Sequence, residues 1–201
     1  TTTLDLLGQL DLETGNFAAA AEHYRRGVAT LERLGTSENR DKPSTLAARL
    51  RRQKQQLSVT EAAPPVIENL DAVESLPPET AREVLLTCTR VLANRGEHAA
   101  AERAVTMLRE RSGDNASHLY NVACAYAWCA EAAARTQESN PANNTDRTST
   151  ERYLTQALNA LSEAVKLGYK DRQHMATDPD LRVLHKDARF RKILEELDST
   201  K

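Results

Sequence analysis

The sequence predicts an all-α chain built of antiparallel helical hairpins, and three observations predict it. Aromatic residues make up only 4% of the chain, while the helix formers Ala, Leu, Arg and Glu dominate over the residues that favour sheets. Apolar residues recur at i, i+3, i+4 and i+7 in successive stretches, the spacing of a helix with one face against a core. Glycine and proline, seven of each, fall mostly between those stretches, where they end elements.

Residues 1–34 read as two helices: Leu4, Leu7 and the small Gly8 recur on the first, Gly15-Asn16 interrupts, and Phe17, Ala20, Ala21, Tyr24, Val28 and Leu31 stripe the second. Residues 35–81 hold one more helix, PSTLAARLRRQKQQL, with Leu46, Leu50 and Leu57 on one side and Arg49, Arg51, Arg52 and Lys54 as a solvated face. The stretch SVTEAAPPV reads as a linker, and IENLDAVESLPP as short turns before Pro77 and Pro78 open the next helix. Residues 82–115 repeat the first pattern, with Leu85, Cys88, Thr89 and Leu92, then Gly96, then Ala101, Val105 and Leu108. Residues 116–169 begin a third copy at ASHLYNVACAYAW, whose second helix, with Leu154, Ala157, Leu161 and Ala164, is delayed by the insertion ARTQESNPANNTDRTST. Thr148 and Glu151 have the spacing of a capping box for that delayed helix. Residues 170–201 suit two short helices covering the end of the array, with Asp178 as N-cap and Pro179 at the first helical position.

The two hairpins at 82 and 116 stand one 34-residue period apart, and with the first they resemble the tetratricopeptide repeat. That resemblance implies antiparallel hairpins stacked as an α-α superhelix. It also implies a concave groove lined by the first helix of each repeat. Carried over position by position, the groove residues are Asp5, Gln9, Leu12 and Glu13, then Leu86, Arg90 and Asn94, then Tyr120, Cys124 and Trp128. The family's carboxylate clamp for chaperone C-termini wants Lys and Asn where Asp5 and Gln9 stand, so the resemblance argues against that ligand. Trp128 is the single tryptophan, and with Tyr120 and Arg90 it has the composition of an anchor for an extended peptide.

A second resemblance rests on LYNVACAYA, ALSEAVKLGYKD and DPDLRVLHKDARF. Together they look like the C-terminal region of large bacterial serine/threonine kinases, notably those of planctomycetes. The resemblance implies a kinase parent, membrane-anchored outside this stretch, with this stretch as an accessory region. The stretch has no Gly-rich phosphate loop, H-R-D or D-F-G, so phosphoryl transfer lacks its parts here.

Charge and composition narrow the function further. The 27 basic and 29 acidic residues give a net charge of −2, no footprint for nucleic acid or an anionic membrane. No apolar run approaches the ~20 residues of a membrane span. Three cysteines without C-x-x-C spacing fit a reducing, cytoplasmic compartment. His23, His98, His118, His174 and His185 form no metal-ligand pair, so neither a metal nor a cofactor is expected. The opening TTTLDLLG, without methionine or signal pattern, reads as a piece of a longer protein. The expected function is non-catalytic binding of another protein or peptide segment in the concave groove. The alternative is a structural spacer or self-associating array, and a closed pocket beside the insertion would favour ligand sensing instead.

Overall fold

A computed structural model describes residues 2–36, 43–139 and 144–199. The described residues are all-α, in nine α-helices and two 3-10 turns. The chain divides into two compact units, 1–91 and 92–201.

In the first unit α1 (Thr2–Glu13) and α2 (Phe17–Thr36) form an antiparallel hairpin, and α3 (Pro43–Glu68) packs against α2. The hairpin turn is a Schellman cap: Gly15 sits at φ 78°, its N–H bonds the Leu12 carbonyl, and the Asn16 N–H bonds Asp11 at 2.7 Å. Only glycine takes that conformation cheaply. The core joins Leu12, Ala20 and Tyr24, with Phe17 and Leu57 packed against them.

The expected linker at 58–66 is instead helical, and α3 runs through Pro64 and Pro65 to Glu68. Two internal prolines remove the N–H donors that would bond Thr60 and Glu61, a penalty of ~3 kcal/mol each in an isolated helix. Burial outweighs it here: Val59, Ala63 and Val66 are buried on one face at i, i+4 and i+7, and the Cys88 thiol of the next helix reaches the Ala63 carbonyl. A 3-10 turn at Leu70–Ser75, capped by Asn69, follows, and α4 (Pro78–Asn94) starts with proline in its first turn as read.

In the second unit the turn after α4 repeats the first hairpin's in detail. Gly96 has φ 81°, its N–H bonds Ala93, and the Glu97 N–H bonds Leu92. From it runs α5 (His98–Glu110), which packs on α6 (Ala116–Ser139). The insertion expected at 134–150 is largely helix: α6 continues to Ser139 and α7 starts at Asn144; 140–143 lie outside the described residues. The capping box is therefore not formed, because Thr148 lies inside α7. The extended turns hold because Asp146, Ser149 and Tyr153 are buried on one stripe, and the Thr150 hydroxyl bonds back to the Asp146 carbonyl.

After α7 (Asn144–Lys166) come α8 (Arg172–Thr177), a 3-10 turn at Pro179–Leu184 and α9 (Ala188–Ser199). Asp178 caps the turn, its Oδ1 accepting the Asp180 N–H at 2.9 Å, with Pro179 in the first position as read. Met175, Leu181, Leu184, Phe190, Ile193 and Leu197 are all buried, so the tail is part of the core. Arg189 ties α9 to Glu151 and Thr155 on α7.

Gly8 supplies a direct test of the α1–α2 contact. A Cβ there would stand 2.8 Å from Cζ of Tyr24. Alanine gains about 1 kcal/mol in helix propensity, but overpacking against a buried ring costs about 1–3 kcal/mol. Gly8→Ala is expected to lower the urea midpoint at unchanged m-value; a raised midpoint would show that α1 and α2 are not closely packed.

Candidate functional site

Of the three residues expected to line a groove in the third hairpin, Tyr120 and Cys124 are covered by the chain's own tail. Tyr120 and Cys124, one turn apart on α6, are each only 5% exposed. What covers them begins at the end of α7. Gly168, at φ 99°, closes another Schellman cap in which the Tyr169 N–H bonds Ala164, and the chain turns back over α6. The Tyr169 ring stacks on Tyr120 with centroids 4.5 Å apart and planes within 6°. Asp171 caps α8 by accepting the His174 N–H, which brings the His174 ring to 5.4 Å from Tyr120. Asp178 then presents Oδ2 to the Tyr120 hydroxyl, which donates to it at 2.6 Å. His174 Nε2 lies 3.5 Å and the Cys124 Sγ 3.9 Å from the same oxygen.

Asp178 is a buried carboxylate, and both of its oxygens are engaged: Oδ1 by the Asp180 amide and Oδ2 by Tyr120. Buried carboxylates are tolerated when satisfied in this way. Burial pushes the Tyr120 hydroxyl far above its ordinary range, and the bond to Asp178 pushes it further; burial lifts Tyr169 to about 12. Cys124, Asp178 and Asp180 bring potential ligand atoms within 4.8 Å of one another. The Tyr120 bond and the cap already account for Asp178, so the trio reads as a fold lock rather than a metal centre.

The three stretches behind the kinase-tail resemblance meet here: Tyr120 and Cys124 from the first, Tyr169 from the second, Asp178 from the third. Trp128 is half-buried on the same helix. In the first unit, Leu12 is a core residue and not groove-facing as expected. Arg90 pairs with the half-buried Glu13 at 3.0 Å, and exposed Gln9 donates to Glu13. Asp5 and Leu86 are half-buried. In the second unit Asn94 is exposed.

A second polar cluster escaped the sequence reading. His98, at the start of α5, lies 3.2 Å from the Tyr153 hydroxyl and 3.3 Å from Asp146 Oδ1. Tyr153 donates to Glu102 at 3.0 Å, and Arg152 grips both oxygens of Glu102. Nothing local marks these residues, since they come from positions 48–55 apart. Beside them, a depression of about 760 Å³ is lined by polar side chains, among them Gln137, Arg147 and Thr150. It is open to solvent, unlike the closed pocket that sensing would require.

No family model, curated protein or solved structure matches the chain. Among the described residues, no helix is long and apolar enough to cross a membrane.

Two outcomes follow from the lock. Tyr120→Phe strips Asp178 of a buried donor and is expected to cost about 1–3 kcal/mol in urea unfolding; a change below about 0.5 kcal/mol would mean the bond is not formed. The second concerns alkali. Burial raises all five tyrosines: Tyr24 and Tyr169 to about 12, with Tyr120, Tyr126 and Tyr153 also lifted. A folded-state value above the unfolded ~10 contributes stability that is complete below pH ~10 and lost as pH rises beyond it. Absorbance at 295 nm is expected to show no tyrosinate step near pH 10, and ionisation only with unfolding. A five-tyrosine step near pH 10 with helicity intact would contradict the burial.

Proposed function

We propose that the chain is a non-catalytic protein–protein interaction module of tetratricopeptide type, serving as an accessory region of a bacterial serine/threonine kinase. The period of 34 residues in the sequence, the matched turns at Gly15 and Gly96 and the three stretches that meet at Tyr120 support this reading.

The observation that carries the binding role is on α1. Leu6, Leu7 and Leu10 lie on one side of that helix and are 64%, 41% and 59% exposed. Single exposed leucines are ordinary, but three neighbours on one helical face form a contiguous apolar patch, the signature of an interaction surface. The partner surface in this reading is therefore α1, and not the Tyr120–Cys124 positions that the tail covers. A spacer is the second reading, favoured by that same self-filled face.

Leu6→Asp/Leu10→Asp tests the choice. Both side chains are solvent-facing, so stability is expected to change by no more than about 0.5 kcal/mol per site. Proteins retained by the wild-type chain from bacterial lysate are expected to be lost from this variant and kept by an Arg49→Glu/Arg51→Glu control. Retention that survives the leucine changes would remove α1 from the binding role, and no retention by either would favour the spacer.

A further inference from the structure

The first two turns of α7 carry no apolar anchor. Residues 145–152, TDRTSTER, include no aliphatic or aromatic side chain, and Thr, Ser and Asp are poor helix formers. The segment is nevertheless helical, and Asp146 and Ser149 are buried. What ties it to α5 is polar, at two points one turn apart. His98 meets Asp146 and Tyr153, and Glu102 meets Tyr153 and the Arg152 guanidinium.

Hydrogen-bond polarity fixes the state of His98. The Tyr153 hydroxyl has one hydrogen, and it lies 3.0 Å from Glu102 and 3.2 Å from His98 Nδ1. A carboxylate is the stronger acceptor. The hydroxyl keeps its hydrogen, since burial and the Glu102 bond push it far above its ordinary range. With that hydrogen aimed at Glu102, the Tyr153 oxygen offers Nδ1 only a lone pair, so Nδ1 donates. Nε2 faces Asp146 Oδ1 at 3.3 Å, and a carboxylate oxygen only accepts, so Nε2 donates as well. An imidazole that donates from both nitrogens is an imidazolium.

The surrounding charges agree with that state. His98 and Arg152 then face Asp146 and Glu102, two cations against two carboxylates, with Asp146 almost wholly buried. From α6, Cys129 lies beside Tyr153 and Glu102 with its thiol pushed up by burial, and Arg135 is bonded to the Ala93 carbonyl. On α5, Glu97 is exposed; on α7, so are Arg147 and Glu151, the latter paired with Arg189. The dipole at the start of α5 disfavours a cation there, and the Asp146 carboxylate brought to the same helix end offsets it.

We propose that His98 is a proton-operated latch: as an imidazolium it holds the first two turns of α7 to α5, and loss of its proton releases them. Without that proton one ring nitrogen meets an oxygen lone pair with no hydrogen between them. The seating is therefore complete on the acid side of the histidine range and lost on the alkaline side. Arg147, Thr148 and Thr150 of the same turns line the open depression, so the latch also sets the shape of that depression.

Nitrogen chemical shifts of the His98 ring and hydrogen exchange of the 148–152 amides, followed together on the whole chain, test the latch. The series runs from about pH 5.5 to about pH 8.5, above the ordinary carboxylate range and below that of tyrosine. Both ring nitrogens are expected to show the imidazolium signature wherever 148–152 are protected. As that signature is lost, protection of 148–152 is expected to fall about tenfold or more relative to the α6 amides. His98→Gln keeps the other four histidines but cannot carry the proton, and its 148–152 protection is expected to stay at the lower level throughout. A neutral ring, with one bare nitrogen, beside fully protected 148–152 amides would overturn the proposal. A pH response that persists in His98→Gln would overturn it equally. Should that variant fail to fold, the paired wild-type series decides alone.

Discussion

The second unit is organised around a helix that is enclosed on nearly every side. Between Leu119 and Ala133, α6 buries twelve residues, six of them alanine and two cysteine. A helix with large side chains all round holds its neighbours about 10 Å away, whereas alanine and cysteine allow the closest helix approaches. That constraint admits α5, α7 and the 179–184 turn to the same helix. The few large side chains that it buries, Leu119, Tyr120 and Tyr126, meet its neighbours. Tyr120 takes the tail, and Tyr126 faces Thr106 of α5.

The Tyr120–Asp178 bond closes one face of α6. Here that face of α6 carries Tyr120 and Cys124, and the tail lays Tyr169, His174 and Asp178 over it. The covering segment is held by Met175, Leu181 and Leu184 in the core, so its removal would cost far more than one hydrogen bond. In the first hairpin, by contrast, the leucines of α1 face solvent.

The features legible in the sequence were those whose cause is local. Gly15 and Gly96 mark the two hairpin turns because a positive φ needs glycine. Pro78 and Asp178 mark helix starts because a missing donor is harmless there and a carboxylate satisfies an orphan amide. Where tertiary burial overrides local preference, the reading failed. Pro64-Pro65 looks like a linker, yet the helix continues because Val59, Ala63 and Val66 have a surface to bury against. The 134–150 segment looks like an insertion, yet 134–139 lengthen α6 and 144–150 lengthen α7, where Asp146 finds His98 across the unit. Tyr120 and Cys124 were identified as a site by position, but nothing in the sequence places Asp178, 58 residues away, on the Tyr120 hydroxyl. The exposure of Leu6 and Leu10 was equally hidden, since a buried and an open leucine stripe are written with the same letters.

Whether the Tyr120–Cys124 face of α6 is closed in the native protein is read directly by thiol chemistry. Cys88, Cys124 and Cys129 are all buried, and burial holds the Cys129 thiol well above its ordinary range. Titration with Ellman's reagent is expected to find no fast-reacting thiol in the native chain and three in urea. One native equivalent reacting at the rate of a free thiol, mapped to Cys124, would show that the tail does not cover Tyr120.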